Sequence, residues 1–321
     1  MEQELVDWLL DSDPALRWQV ERDLLDAPVE LWGSTRARVW REGFGAKLLA
    51  LQDEDGQWAG GSYFPKGFDF ATVKSEGQPW TATTWSLNSL REWGVDASAL
   101  SDTADRLEKN SLWDYGDLPY WDGEVDCCIN AYTLANGTWL GRDMSHLAQW
   151  FVEHQMDEGG WNCEWESGSV RSSFHSTLNS LLGILYYEQN SGGFPELTTA
   201  RKAAEEFLLR RKLLFRLETG EQIAPWVTSF GYPTRWRYNV LRALEYFRQA
   251  STLDGLAPDP RLKDAIYIVK NALTPDSRLI QSHHELGSEW FPVDVPVGQP
   301  SKWLTLSALR TLKWWNSFAI I

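Results

Sequence analysis

His175-Ser-Thr-Leu-Asn-Ser-Leu181 repeats Thr84-Trp-Ser-Leu-Asn-Ser-Leu90 nearly residue for residue, and Cys128-Ile-Asn-Ala-Tyr-Thr-Leu134 falls in the same frame between them. Tyr238 with Leu241 and Leu244, and Trp303 with Leu306 and Leu309, continue the series more loosely. An internal repeat stacks equivalent positions side by side on one face. Cys128 and His175 are therefore expected to be spatial neighbours although 47 positions separate them. A thiol and an imidazole at equivalent repeat positions, with Asp126 two residues before the thiol, point to a metal site.

Working outward, Leu and Trp recur at helical spacing in Trp80 to Trp93, Leu178 to Tyr187, Val240 to Phe247 and Leu304 to Trp315. Strand-like alternation is scarce, and turn chemistry falls between the helices at Asp55-Gly56, Gly60-Gly61, Gly159-Gly160, Gly192-Gly193 and Thr274-Pro275. Each unit reads as a polar first helix, a Gly-rich turn and a more apolar second helix. The first helices are predicted near 36–52, 101–112, 145–156, 198–212 and 259–273, and their partners near 79–93, 125–139, 172–188, 233–249 and 300–315. Asp13-Pro14 marks a further helix start. Paired helices of this kind stack as a solenoid or close into a ring. Small and apolar residues on most faces of the second helices (Thr81-Ala82-Thr83-Thr84) favour the ring. The expected fold is all-α, an (α/α) toroid of about five to six helix pairs over residues 46–321, with a helical segment 1–45 packing on or completing it.

The composition narrows the function. A net charge of −15 leaves no basic stripe for nucleic acid. No apolar run is long enough to span a bilayer. The three cysteines, Cys127, Cys128 and Cys163, form no disulfide framework, and with no signal peptide at the start they read as a reducing cytoplasm. The 20 tryptophans run from Trp8 to Trp315, so they mark no single local module. Each has a large apolar face and one N–H, which suits either repeat packing or an aromatic-lined cavity.

Two segments share the pattern Gln-x-x-x-Gly-x-Trp: Gln52-Asp-Glu-Asp-Gly56-Gln-Trp58 and Gln155-Met-Asp-Glu-Gly159-Gly-Trp161. This resembles the QW motif of the terpenoid cyclase and protein prenyltransferase superfamily, whose fold is an α/α toroid. In that motif the Gln bonds the open start of a neighbouring helix while the Trp stacks on it. Asp126-Cys127-Cys128 and Phe174-His175-Ser176-Thr177 resemble the zinc-binding Asp-x-Cys and His of prenyltransferase β subunits. The resemblance implies zinc on Asp126, Cys128 and His175, with an open position for a substrate thiol. It also implies an isoprenoid-like or other hydrophobic ligand with an anionic head, and a possible second subunit. Two residues apart on a helix do not share a face, so Asp126 must sit at the helix start to join Cys128.

The chain departs from that family just before Asp126, where Asp122-Gly123-Glu124-Val125 carries no Lys or Arg for a diphosphate. Arg171, Arg235, Arg237 and Lys302 are the alternative anion-binding candidates, and Trp80, Trp121, Trp236, Tyr238 and Trp303 the candidate apolar lining. The bland alternatives stand beside these: arginines paired with acidic loops, Cys128 as a small buried hydrophobe, His175 as a satisfied core histidine and Asp126 as an N-cap. His283-His284-Glu285 reads as a solvated loop, and His146 and His154 as solvent-facing. Cys163, after Trp161, is expected near the cavity mouth. Two further functional readings stay open. One is a metal-free cyclase with Asp126 as Brønsted acid; the other is a non-catalytic barrel that binds a hydrophobic ligand or a protein.

Overall fold

The computed structural model describes residues 1–318. Among them lie fourteen α-helices: α1 Gln3–Leu10, α2 Pro14–Asp23, α3 Val29–Arg36, α4 Gly43–Leu49, α5 Val73–Glu76, α6 Thr83–Trp93, α7 Thr103–Asn110, α8 Cys127–Trp139, α9 Ser145–Glu153, α10 Phe174–Ser191, α11 Pro195–Arg210, α12 Val240–Asp254, α13 Lys263–Ala272 and α14 Lys302–Ser317. Two short antiparallel strands, β1 Leu279–Ile280 and β2 Pro300–Ser301, pair Leu279 with Ser301 and Ile280 with Pro300. All ten predicted repeat helices are present in register. The largest shifts are at α4, which begins at Gly43 rather than 36, and at α12, which begins at Val240 rather than 233, where Asn239 caps it by accepting from the Arg242 N–H. No described helix is long and apolar enough to cross a membrane.

The chain forms two compact units. Unit 1 comprises Met1–Phe44, Leu208–Glu285 and the chain from Pro292 onward; unit 2 comprises Gly45–Phe207 with Leu286–Phe291. The N-terminal segment up to Phe44 belongs to unit 1 together with the last repeats. In unit 1, Asp13 accepts from the N–H groups of Ala15 and Phe44, fixing the start of α2 and the approach to α4. Buried Arg310 of α14 pairs with Asp23 of α2 and Glu245 of α12, so the two ends of the chain are held by one ionic cluster.

In unit 2 the alternation of helix types is visible in burial. α8 is buried continuously from Cys127 to Gly137, whereas α7 buries only Thr103, Ala104 and Leu107. The two QW segments make matching contacts. The indole N–H of Trp58 donates to Leu48 O at 2.8 Å and that of Trp161 to Phe151 O at 3.0 Å, ten residues back in each case. Trp58 N donates to Thr83 Oγ1 and Trp161 N to Thr177 Oγ1, both at 3.1 Å, tying each turn to the next apolar helix. Gln52 donates to Gly56 O and to Thr103 Oγ1 at the start of α7. Gln155 donates to Gly159 O and to Ala200 O, a carbonyl inside α11 rather than at a helix start. Gly56 and Gly159 have φ of 92° and 94°, a conformation L side chains rarely adopt. A Cβ at Gly159 would lie 2.7 Å from Ala203 O, and one at Gly56 2.7 Å from Arg106 Cβ. The two turns thus press on α7 and α11 respectively.

α8 and α10 pack along one another. Gly183 makes this possible, since a Cβ there would lie 2.5 Å from Ala131 O. Thr84, Cys128, His175 and Trp303 are each the second residue of their helix, as the repeat predicts; Tyr238 lies two residues before α12.

Candidate metal centre

α8 begins with two thiols, Cys127 and Cys128, on its first turn. A short 3-10 turn, Cys163–Trp165, brings a third. That turn is pinned from both sides. Asn162 caps it by accepting from Glu164 N, and its amide donates to Ser169 Oγ and Arg171 O. Cys163 N donates to Ser176 Oγ of α10 at 3.2 Å, and Trp165 Nε1 donates to Val125 O at 2.8 Å, one residue before Asp126. The segment leading into α8 is held equally firmly. Asn130 accepts from Glu124 N and donates to Glu124 O, both at 2.6 Å, and Asp126 N donates to Glu124 Oε2 at 2.7 Å.

The three sulfurs converge. Cys163 Sγ lies 3.2 Å from Cys128 Sγ and 3.5 Å from Cys127 Sγ, and all three thiols are free. Among the described residues, these are the His, Cys, Asp or Glu ligand atoms that gather within 4.8 Å of one another. A tetrahedral zinc with Zn–S bonds near 2.3 Å separates its sulfurs by about 3.8 Å, so the set fits a soft divalent metal after shifts of a few tenths of an ångström.

Of the three residues expected to bind metal, only Cys128 belongs to this set. Adjacent helical residues point about 100° apart. On α10 it is Ser176, with Asn179 one turn further on, that meets the sulfurs. Asn179 Nδ2 donates to Cys128 Sγ at 3.4 Å, and Ser176 Oγ donates to Cys163 Sγ at 3.5 Å. Half-buried His175 is not among the ligand atoms that gather there. The Tyr132 hydroxyl donates to Asn179 Oδ1 at 3.2 Å, which turns the amide N–H toward Cys128. Asp126 stands at the α8 N-cap without a side-chain capping bond, and its carboxyl is within hydrogen-bonding reach of the Cys163 thiol.

The protonation pattern follows from this crowding. Hydrogen bonds from Cys127 and Cys163, with help from Asn179 and Ser176, hold the Cys128 thiol well below its ordinary value despite burial. Burial, then the bonds to Cys128 and Cys163, push Cys127 well up. At Cys163 the bond with Cys127 lowers the value, but the bond to Cys128 and burial outweigh it and carry the thiol up to about 12. Burial, then the neighbouring Cys163, Glu124 and Glu166, raises Asp126 to about 7.

An aromatic cluster packs in the same unit: Tyr63 lies 4.9 Å from Trp85, which lies 4.8 Å from Trp80 and 5.4 Å from Tyr132. The other predicted lining residues are occupied in the core. Trp80 Nε1 donates to Leu286 O, Trp121 Nε1 to Ala104 O, Trp303 Nε1 to Val293 O and the Tyr238 hydroxyl to Leu213 O. The anion-binding candidates Arg237 and Lys302 belong to unit 1 and are engaged there. Arg237 pairs with Glu285, which also accepts from His283 at 2.8 Å. Lys302 donates to Asp11 O at the end of α1 and lies 5.5 Å over the Trp8 ring. Arg235, in a left-handed conformation, and Trp236, 5.8 Å from the Arg237 guanidinium, lie in unit 1 as well. His146 bonds Trp121 O, and His154 stacks on Trp150 at 4.0 Å, so neither is simply solvated.

Sequence reasoning gave Cys163 no ligand role. The available signal was its place two residues after a QW tryptophan, in the turn that faces the start of α8. Compared with known proteins, the chain matches no family, no curated protein and no solved structure.

Proposed function

We propose that this chain is a zinc-dependent transferase in which Cys127, Cys128 and Cys163 hold the metal and Asp126 borders the remaining position. The convergence of three free sulfurs within 4.8 Å of one another carries the reading. Three protein ligands with one position left for substrate is the catalytic arrangement of zinc. When bound, zinc supplies the Lewis acidity that keeps an acceptor thiol ionised at neutral pH. The residues around it do the rest. Asn179 and Ser176 hold two of the sulfurs in place, and Asp126 takes the proton of the incoming thiol. Tyr63, Trp85 and Tyr132 offer an apolar flank for the alkyl or prenyl group to be transferred. The reading extends to an α/α toroid closed from the repeated helix pairs, a hydrophobic isoprenoid-like donor, a second subunit and a reducing cytoplasmic setting that keeps the thiols free.

The metal-free cyclase reading ranks lower on one observation. Protonating an alkene needs a strongly acidic carboxyl, and the surroundings of Asp126 push it the other way.

The test is the metal content of the purified protein by plasma mass spectrometry. About one zinc per chain, lost in Cys163→Ala and kept in His175→Ala, supports the three-sulfur set. Zinc lost in His175→Ala and kept in Cys163→Ala returns the imidazole to the site. No zinc in the wild-type protein after growth in zinc-supplemented medium ends the transferase reading; zinc followed by no alkylation of thiol acceptors ends its catalytic half.

A further inference from the structure

The three sulfurs differ in two ways that the metal reading does not use: their exposure and their spacing. Cys127 and Cys128 are buried on the first turn of α8, whereas Cys163 is only half-buried on its turn. A reagent arriving from solvent therefore meets Cys163 first. Its nearer sulfur is Cys128 at 3.2 Å, with Cys127 at 3.5 Å. A disulfide has an S–S length near 2.05 Å, so closing the gap to Cys128 takes a movement of about 1.2 Å. Cys127 and Cys128 are neighbours in sequence, a pairing that disulfide geometry disfavours.

We propose that Cys163 and Cys128 form a peroxide-sensitive disulfide, an oxidative modification site in which Cys163 is attacked and Cys128 resolves. In the first step Cys163 reacts as its thiolate: it gives up its proton, its sulfur takes one oxygen from a hydroperoxide to give a sulfenic acid, and the rest of the hydroperoxide leaves as water or an alcohol with that proton. In the second, Cys128 sulfur attacks Cys163 sulfur. The S–S bond forms, the S–O bond breaks, and the oxygen departs as water with the Cys128 proton. The two thiols are oxidised by two electrons and the hydroperoxide is reduced by two. Ser176, whose hydroxyl donates to Cys163 Sγ, is the hydrogen-bonding partner at the oxidised sulfur. A consequence rests on the metal reading above: the disulfide consumes two of the three sulfur ligands, so oxidation and zinc exclude one another.

The experiment treats the full chain, metal-free and zinc-loaded, with hydrogen peroxide and follows it by intact and peptide mass spectrometry. In the metal-free protein the expected result is loss of two hydrogens and a cross-link from Cys163 to Cys128, assigned by fragmentation between residues 127 and 128. Cys127→Ala keeps the cross-link. Cys128→Ser loses it and instead accumulates a dimedone adduct at Cys163. In the loaded protein, one zinc is released per disulfide formed. A cross-link to Cys127, conversion of Cys163 to sulfinic acid without a cross-link, or unreactive thiols would each overturn the proposal. A protein that binds no zinc removes the function proposed above but leaves the metal-free arm intact, so the two failures are told apart.

Discussion

Asp126 shows how one residue carries both charge and geometry. Its carboxyl makes no capping bond at the start of α8, where an N-terminal Asp ordinarily makes one. In the metal-free protein burial, Cys163, Glu124 and Glu166 raise it from 3.8 to about 7. The folded chain therefore holds a proton that the unfolded chain has released, so this group's stabilising contribution declines as pH rises from 4 to 7 and is flat above. Denaturant melts across that range should show the decline in wild type and a shallower one in Asp126→Asn. Asn130 is a second case at this scale. Replacing it with Ala removes the bonds to the half-buried Glu124 N–H and C=O and is expected to cost about 1–3 kcal/mol in urea unfolding. The same change loosens the approach to α8 and should weaken zinc binding.

Among the elements, the contact of α8 with α10 positions the site. Gly183 permits it, and Gly183→Ala is expected to cost about 1–3 kcal/mol, because its Cβ meets backbone that cannot yield cheaply. The same variant pushes Asn179 away from Cys128. A cobalt-substituted protein should then show a shifted sulfur-to-metal charge-transfer band, which a loss of stability alone would not produce. The QW turns act one step further out. Gln155→Ala removes bonds of 2.6 Å to Gly159 O and 2.7 Å to Ala200 O, and the expected cost is about 1–3 kcal/mol. The repeat helices were legible from their apolar period and from Gly at the turns. The 3-10 turn bearing Cys163 was not, because its shape depends on Asn162, Ser176 and Trp165 bonding across the fold rather than on any local period.

For the whole molecule, the chain's two ends meet within unit 1 through Arg310, Asp23 and Glu245. Burial raises both carboxyls, but Arg22 and Arg310 at Asp23, and Arg310 and Arg248 at Glu245, outweigh it and hold them below the ordinary range. Their contribution is present above the unfolded carboxylate values near 4 and is lost as pH falls through the lowered ones. Arg310→Met leaves Asp23 with Arg22 and Glu245 with Arg248 and Thr311, and should cost about 1–3 kcal/mol at neutral pH by urea denaturation. The deficit should shrink in acid, where the two carboxyls take up protons.

By itself the sequence determined the all-helical class, the alternation of polar and buried helices, the placement of ten repeat helices and the location of a chemically loaded helix start at residues 126–128. These are local matters, set by apolar spacing, glycine turns and N-terminal residues. Which side chains meet at that start was decided by the tertiary structure. A repeat aligns helix positions but does not say which way each side chain points, and one residue along α10 turns the direction by about 100°. On α10 the side chains that bond the sulfurs are those of Ser176 and Asn179. Cys163 arrives from a turn whose path only long-range hydrogen bonds define. Arg237 and Lys302 found partners in Glu285 and Asp11 that no sequence pattern linked to them.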